Sequence, residues 1–467
     1  MSAPPRDRTA WIAVILASLV VIVWLPSLGA SFQFDDWSVV VDDPRVQSVA
    51  AWWQSMPGMR ALLKLSFALN HEWHAGSAGF RAVNIALHAG NALLVFMLLR
   101  RLGRSVARLD ARAAMLAALV AALVFGLHPV QTESVTYVAG RSNVLMATFS
   151  LLAMLAWSMR SGTRVWAAVP LSLLFLAAAM ATKETAAVLP LAFLLWSVTT
   201  REPPGEKLLP ALLPAFLLVI MLLAIGLVWM PYASLLETSL SERGVFANLA
   251  VQAQAITWLA GQLLPFAQLN ADPALDFASA FTFPTLAQIV LHGGFILFAA
   301  VNVRRWPTIA FGILWFYLWL APTNSLLARL DAANDRQLYL AIIGPAWLLG
   351  LALAWALRRW ATSLPHVGLI AVLLLVLLLS TGTVMRNRVY QDELSFWRDV
   401  VAKSPHNARA ANNLGMAYAL ACEPAAARVA FERAATIDPD DPRPSVNALL
   451  LSMGELPGQP QGTRCRP

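Results

Sequence analysis

The stretch WIAVILASLVVIVWLPSLGASFQFDD, residues 11–36, decides the reading of the chain. Residues 11–30 are apolar and long enough to cross a bilayer. Two adjacent carboxylates, Asp35 and Asp36, stand where that run ends. Carboxylates so close to hydrocarbon are costly and face a cavity or a partner. The run is longer than a signal-peptide core, and no small-residue cleavage site precedes FDD. It therefore reads as a retained span.

The rest of the chain repeats the theme. Of 467 residues, 58% are hydrophobic and 13% charged, and the mean hydropathy is +0.62. That composition fits an all-α polytopic membrane bundle rather than a soluble enzyme. Further apolar runs lie near 82–99, 113–128, 143–159, 165–182, 186–200, 208–230, 287–302, 307–321, 337–357 and 366–385, eleven spans in all. The net charge of +8 is no nucleic-acid signature. Arginines cluster in RRLGRSVARLDAR (100–112), MRSGTR (159–164), VRRW (303–306) and RRW (358–360). With PPRDR inside, strict alternation puts every cluster inside as well.

The same alternation puts FDD, residues 129–142, Lys183 and Glu184, residues 322–336 and everything after 386 on the outer side. Segment 249–266 would break the count, so it reads as a helix lying in the outer face or dipping into it. The first outer loop, 31–81, contains AWWQSMPGMRALLKLSFALNHEWH, the pattern of an interfacial helix. Charged and polar motifs thus gather at one outward-facing cavity.

The tail reads separately. ANNLGMAY (411–418), Ala427, Phe431, Ala434 and Pro439 follow the tetratricopeptide pattern, with alanine in place of tryptophan. The best repeat is 408–441, within a repeat-like region at 386–452 that follows a membrane domain at 1–385. So short an array leans on the membrane domain for stability. Residues 453–467 are Gly/Pro-rich and read as disordered. Cys422 and Cys465 make neither a disulfide framework nor a zinc pattern.

Several groups are candidates for chemistry. Asp35 or Asp36 is the general base, the other holding substrate or a metal. Asp42 and Asp43, before Pro44, read as turn residues. Asn84, His88 and Asn91 share one helix face, as polar residues facing a bundle interior do. In HPVQTESVTYVAGRSN (128–143), Glu133 is a supporting polar group and Arg141 a bidentate phosphate clamp. Lys183, beside Glu184, is placed to meet an anionic headgroup, and Arg336 is a second phosphate candidate. HEWH (71–74) lacks zinc spacing and a third ligand, so no metal is assigned and a divalent cation has no support. A phosphate-binding loop, a dinucleotide fingerprint and a nucleophile elbow are all absent from the sequence.

Five motifs stand in order: FDDWSVVVDDPRV, FRAVNIALHAGNALLVFMLL, HPVQTESVTYVAGRSNVL, ATKETAAVLPLAFLL and PTNSLLARLDAANDRQLYLAIIG, followed by the repeat tail. In this the chain resembles the membrane O-mannosyltransferase-like proteins that carry tetratricopeptide repeats. These are multi-span glycosyltransferases of the GT-C class. The resemblance runs from about residue 11 to about 450. It implies transfer of mannose or another hexose, with inversion, from a polyprenyl-phosphate donor to a hydroxyl acceptor, Ser or Thr of an exported protein. It implies a catalytic Asp35 with Asp36 as its neighbour, and Lys183, Glu184, Arg336 and Arg141 near the lipid phosphate. Related enzymes carry Asp-Glu where this chain has Asp-Asp, which leaves open which carboxylate acts.

The expected partners are the lipid-linked sugar, an acceptor protein or glycolipid, membrane lipids, and a protein at the tail; nucleic acid is not among them. The Ala/Arg-rich composition and short tail suggest a bacterial inner membrane with a periplasmic site. Two rivals stand beside this reading: an enzyme of the same class acting on a lipid or polysaccharide, and a non-catalytic scaffold whose repeats recruit proteins. A transporter would want broken helices around a midplane site.

Overall fold

A computed structural model describes residues 9–455, apart from 56–59, 107–108, 161–163, 201–207, most of 230–243, 266, 276, 279, 325–327, 330 and 361–365. Cys465 and the expected disordered segment from 456 onward lie outside the described residues. The described residues are helical, with turns and loops between.

Among the described residues, seven helices are long and apolar enough to cross a membrane, or nine if each of two bent pairs is one span. Two shorter apolar helices, Glu184–Thr200 and Pro307–Leu320, complete the eleven expected segments. The first is α1 (Thr9–Trp24), which Pro26 ends by removing a backbone donor. Two short helices follow, α2 (Val49–Ser55) and α3 (Ala61–Trp73), where the sequence suggested one interfacial helix. The bundle continues through α4 (Ser77–Ser105) and α5 (Ala111–Leu127). Asp110 caps α5 by accepting the Ala113 N–H at 2.7 Å.

The third span is not straight. Pro129 interrupts it, and the chain turns 48° into a short segment ending at Val135. Past it, α6 (Arg141–Ser158) descends and α7 (Val165–Thr182) returns. At Lys183 the backbone switches to an extended conformation, which ends α7 and starts the Glu184 turn. A later span is broken likewise: residues 335–341 meet the helix Ile343–Trp360 at 54°. Of segment 249–266, residues 249–262 lie on the helix Val245–Gln262, which is not among the candidate spans.

One apolar core joins α1, α4, α5 and α6 to the helices Pro307–Leu320 and Ile343–Trp360. The alanines of α5 at 113, 114, 117, 118, 121 and 122 are buried, which lets neighbouring helices approach closely. Phe283, Val290, Leu291 and Leu297 point outward from the helix Phe283–Asn302, as lipid-facing residues do. Described members of the arginine clusters meet at one end of the bundle: Arg101 donates to Ser158 O, and Arg358 pairs with Asp110 at 2.7 Å. The polar motifs share the other end.

The tail is four helices: α8 (Glu393–Lys403), α9 (Ala408–Leu420), α10 (Pro424–Ile437) and α11 (Arg443–Ser452). Helices α9 and α10 pack side by side. A Cβ at Gly415 would lie 2.5 Å from the Phe431 ring, so glycine is what permits this approach. The tail docks on the outer loops. Gln33 donates to Tyr390 O, Ser31 N–H to Gln391 O, and Lys403 to Leu269 O.

Candidate functional site

The polar end of the bundle holds two adjoining cavities. The outer one is about 250 Å³. The loop residues Phe34 and Tyr137, the ion-paired residues Glu133 and Arg336, and Asp272 line it. So do Phe396, Trp397 and Arg409 of the tail. The inner one, about 30 Å³, is lined by Asn143, Lys183, Trp319, Arg329, Gln337 and Tyr339 among others. Asn334 and Arg336 line both.

The carboxylate pair splits between two tasks. Phe34 sits in the left-handed region at φ 47°, an uncommon conformation for a bulky residue. Its ring meets Trp397 edge-on at 5.5 Å between centroids. Beyond this kink Asp36 turns inward and is fully buried. Its oxygens accept the N–H groups of Ala139 (2.7 Å), Gln33 (3.1 Å) and Val138 (3.4 Å). Burial pushes its carboxyl up to about 7, against those hydrogen bonds and the nearby Arg81. Asp35 is half-buried. Its N–H donates to Tyr137 Oη at 3.0 Å, and its charge acts on both Tyr137 and Arg336. Burial pushes the Tyr137 phenol well up, with Asp36 and Asp35 adding to it.

Arg336 is anchored from behind. Its Nε lies 3.2 Å from Glu133 Oε1, and its backbone N–H donates to Glu133 Oε2 at 3.0 Å. Gly140 makes the Glu133 turn tight: a Cβ there would lie 2.5 Å from Glu133 O. Lys183 is buried and donates to Asn143 Oδ1 at 2.6 Å. Glu184 pairs with Arg60 at 2.8 Å. Three residues that line the inner cavity carry a buried donor with no hydrogen-bond partner among the described residues: Asn143 Nδ2, Trp319 Nε1 and Gln337 Nε2. Buried donors normally find partners, so a wall that pools these donors with the basic side chains of Lys183, Arg329 and Arg336 is chemically complementary to an acceptor-rich group.

Arg141 departs from expectation. It is fully buried and lines neither cavity. Its guanidinium donates to Asn84 Oδ1, Asn70 Oδ1, Phe80 O and Ser66 O at 2.7–3.1 Å. Phe67 and Phe80 cover it at 4.8 and 5.3 Å. Four of its five N–H groups are thus taken by the fold, which leaves no pair for bidentate binding of a phosphate. Asn84 also donates to Val135 O. His88 lies between Tyr339 Oη (2.8 Å) and Gly126 O (3.1 Å). Asn91 donates to Val144 O and Tyr339 Oη. All three bind the bundle together at its polar end.

Asp43 accepts from Arg45 N and pairs with its side chain at 2.8 Å, as a turn residue does. The residues of HEWH serve loop contacts: His71 meets Val40 O, Glu72 accepts Val49 N–H, and His74 accepts Gly76 N–H. Among the described residues, no group of three or more His, Cys, Asp or Glu is placed to hold a metal.

Sequence reasoning missed Arg81, which donates to Thr136 O, Ala30 O and Ser31 O and ties the first loop to the Glu133 segment. A lone arginine at the start of an apolar run, in FRAVNIAL, was its signal. Glu393 was missed too. It accepts from Trp37 Nε1 at 2.9 Å and from Phe34 N–H at 3.4 Å, and burial raises its carboxyl.

No protein-family model matches the chain. No solved structure matches it. Curated proteins do. Protein O-mannosyl-transferase Tmtc2 of Drosophila melanogaster is 30% identical over 204 residues, covering 39% of this chain and 21% of that protein. A protein O-mannosyl-transferase of Caenorhabditis elegans is 32% identical over 158 residues, 30% of this chain and 22% of that protein. Protein O-mannosyl-transferase TMTC4 of Homo sapiens is 30% identical over 168 residues, 32% of this chain and 23% of that protein. The match spans about a fifth of the length of these relatives. They are animal proteins, so they lend no support to a bacterial inner membrane. The resemblance carried by the ordered motifs is nonetheless borne out: over 30–39% of its length, this polytopic membrane chain is similar to the protein O-mannosyl-transferases.

Proposed function

We propose that the chain is a membrane glycosyltransferase that moves a hexose from a polyprenyl phosphate to a hydroxyl of an acceptor protein. The observation that carries this reading is Arg336, which walls both cavities and feels the charge of Asp35, a residue just outside both linings and next to Phe34, which lines the outer one. The lipid phosphate sits against Lys183, Arg329 and Arg336, with Asn143, Trp319 and Gln337 completing its donors. Polar atoms on the protein wall then need no water to satisfy them.

Asp35 is the base. Its carboxylate is half-buried, whereas Asp36 is committed to three backbone N–H groups. Asp35 takes the proton of the acceptor hydroxyl as that oxygen bonds to the anomeric carbon. The bond from that carbon to the phosphate oxygen breaks, and the lipid phosphate leaves with the electron pair. Attack opposite the leaving group inverts the anomeric centre. The cations meet the charge that grows on the leaving phosphate, where preorganised groups act most strongly. No nucleotide site is needed, because the donor is already activated. The relatives' names support a protein acceptor. The site lies on the face opposite the arginine clusters, the outer face by the positive-inside rule. A bacterial inner membrane, with this site in the periplasm, is carried by composition alone.

The test is a transfer assay in nanodiscs with radiolabelled polyprenyl-phosphate mannose, envelope protein extract, and the Asp35→Asn and Asp36→Asn variants. Label on protein, lost in folded Asp35→Asn, supports the reading. No label on protein or lipid from any polyprenyl-phosphate sugar removes it and leaves the scaffold.

A further inference from the structure

We infer that the outer cavity is the subsite for the transferred hexose and that the C-terminal tail supplies its stacking wall, through Phe396 and Trp397. This rests on the glycosyltransferase reading and extends it to the tail. Three observations carry it.

The first is position. Arg336 and Asn334 are common to both cavities, so a ligand with its phosphate on the inner side places its next group in the outer one. The second is lining. Phe34, Tyr137, Tyr390, Phe396 and Trp397 give the outer cavity a cluster of aromatic faces, and charged residues such as Glu133, Asp272, Arg336 and Arg409 share its lining. Flat apolar faces beside a few convergent polar groups suit a sugar ring, whose C–H faces are apolar and whose rim is hydroxyl. Asn334 lines this cavity, and its buried Oδ1 has no hydrogen-bond partner among the described residues, which leaves an acceptor for a sugar hydroxyl.

The third is construction. The tail does not rest on the cavity loosely. Glu393 accepts from Trp37 Nε1 and Phe34 N–H, on the same strained turn that aims Asp35 and Asp36. Phe396 and Trp397 interlock edge-on at 5.0 Å, and Trp397 meets Phe34 the same way. Arg409 pins the start of α9 to Asp272 and to Asp331 at 3.0 Å, across the cavity mouth. The tail thereby closes a pocket that the membrane helices leave open on that side.

The experiment separates the sugar from the phosphate. Donor KM is measured with polyprenyl-phosphate mannose, and inhibition with sugar-free polyprenyl phosphate, in full-length protein. Trp397→Ala is expected to raise donor KM about tenfold, the scale of one aromatic contact, with inhibition by the sugar-free lipid unchanged. Trp397→Phe restores most of the loss. Asn334→Ala, which leaves the aromatic packing intact, is expected to reduce discrimination between mannose and glucose donors. It decides the matter if Trp397→Ala does not fold. Equal weakening of donor and sugar-free lipid, or unchanged KM and discrimination, overturns the subsite. An inactive wild type instead overturns the glycosyltransferase reading itself.

Discussion

Asp36 accepts the backbone N–H of Ala139 at 2.7 Å across 103 residues of chain. The bond pins the first outer loop to the segment that carries Glu133 and Arg141. Since burial raises this carboxyl from 3.8 to about 7, the folded state holds a proton that the unfolded chain has lost in between. Stability from this group is therefore present below 3.8 and falls as pH rises toward 7, by at most about 1.4 kcal/mol per pH unit. Asp36→Asn should flatten that part of the stability profile, read as the melting midpoint in detergent from pH 4 to 8.

Asp35 should behave oppositely. Asp35→Asn keeps the backbone bond to Tyr137 and should melt like wild type, yet lower kcat by about 10²- to 10⁴-fold, the share of a general base. Wild-type turnover in this variant would return the base to another carboxylate.

Arg336 offers a sharper test of the leaving-group site. Arg336→Lys keeps the charge but loses the fork that Glu133 orients, so turnover should fall about 10²- to 10³-fold. Glu133→Gln should fall less, because the guanidinium stays charged. Equal activity in all three proteins would place the phosphate elsewhere.

Arg141→Ala tests the reading of that residue as part of the scaffold. It strands the buried amide oxygens of Asn84 and Asn70, each worth about 1–3 kcal/mol when left unpaired. The variant should express poorly or melt far below wild type without any ligand present. A stable variant defective only in donor binding would restore it as a phosphate clamp.

In the tail, Gly415→Ala drives a methyl into the Phe431 ring and should cost about 1–3 kcal/mol by overpacking. If the tail walls the sugar pocket, proteolysis of the α9–α10 pair and loss of transfer should appear together in this variant. Faster cleavage with full activity would separate the tail from the site.

The all-α membrane bundle was legible because hydrocarbon leaves the backbone few choices. A run such as 11–30 must bond its own peptide groups, so span-length apolar runs become helices. The arginine clusters were legible as one end of the bundle because charge sorting is a property of short loops. The Gly415 and Phe431 spacing announced a close helix pair for a similar reason: small against large is a local rule. Asp35 and Asp36 were visible as a pair, but identical side chains carry no label for burial. Only the left-handed turn at Phe34 separates them, and that turn is held by Glu393, some 360 residues away. Arg141 looked like Arg336 on paper. The difference lies in enclosure: one fork is filled by Asn84, Asn70 and two carbonyls, while the other faces two cavities. Sequence alone determined the solvent, the helices and the end of the bundle where charge collects. Tertiary structure decided which charges are spent on the fold and which remain for a ligand, because that depends on hydrogen-bond partners brought from distant parts of the chain.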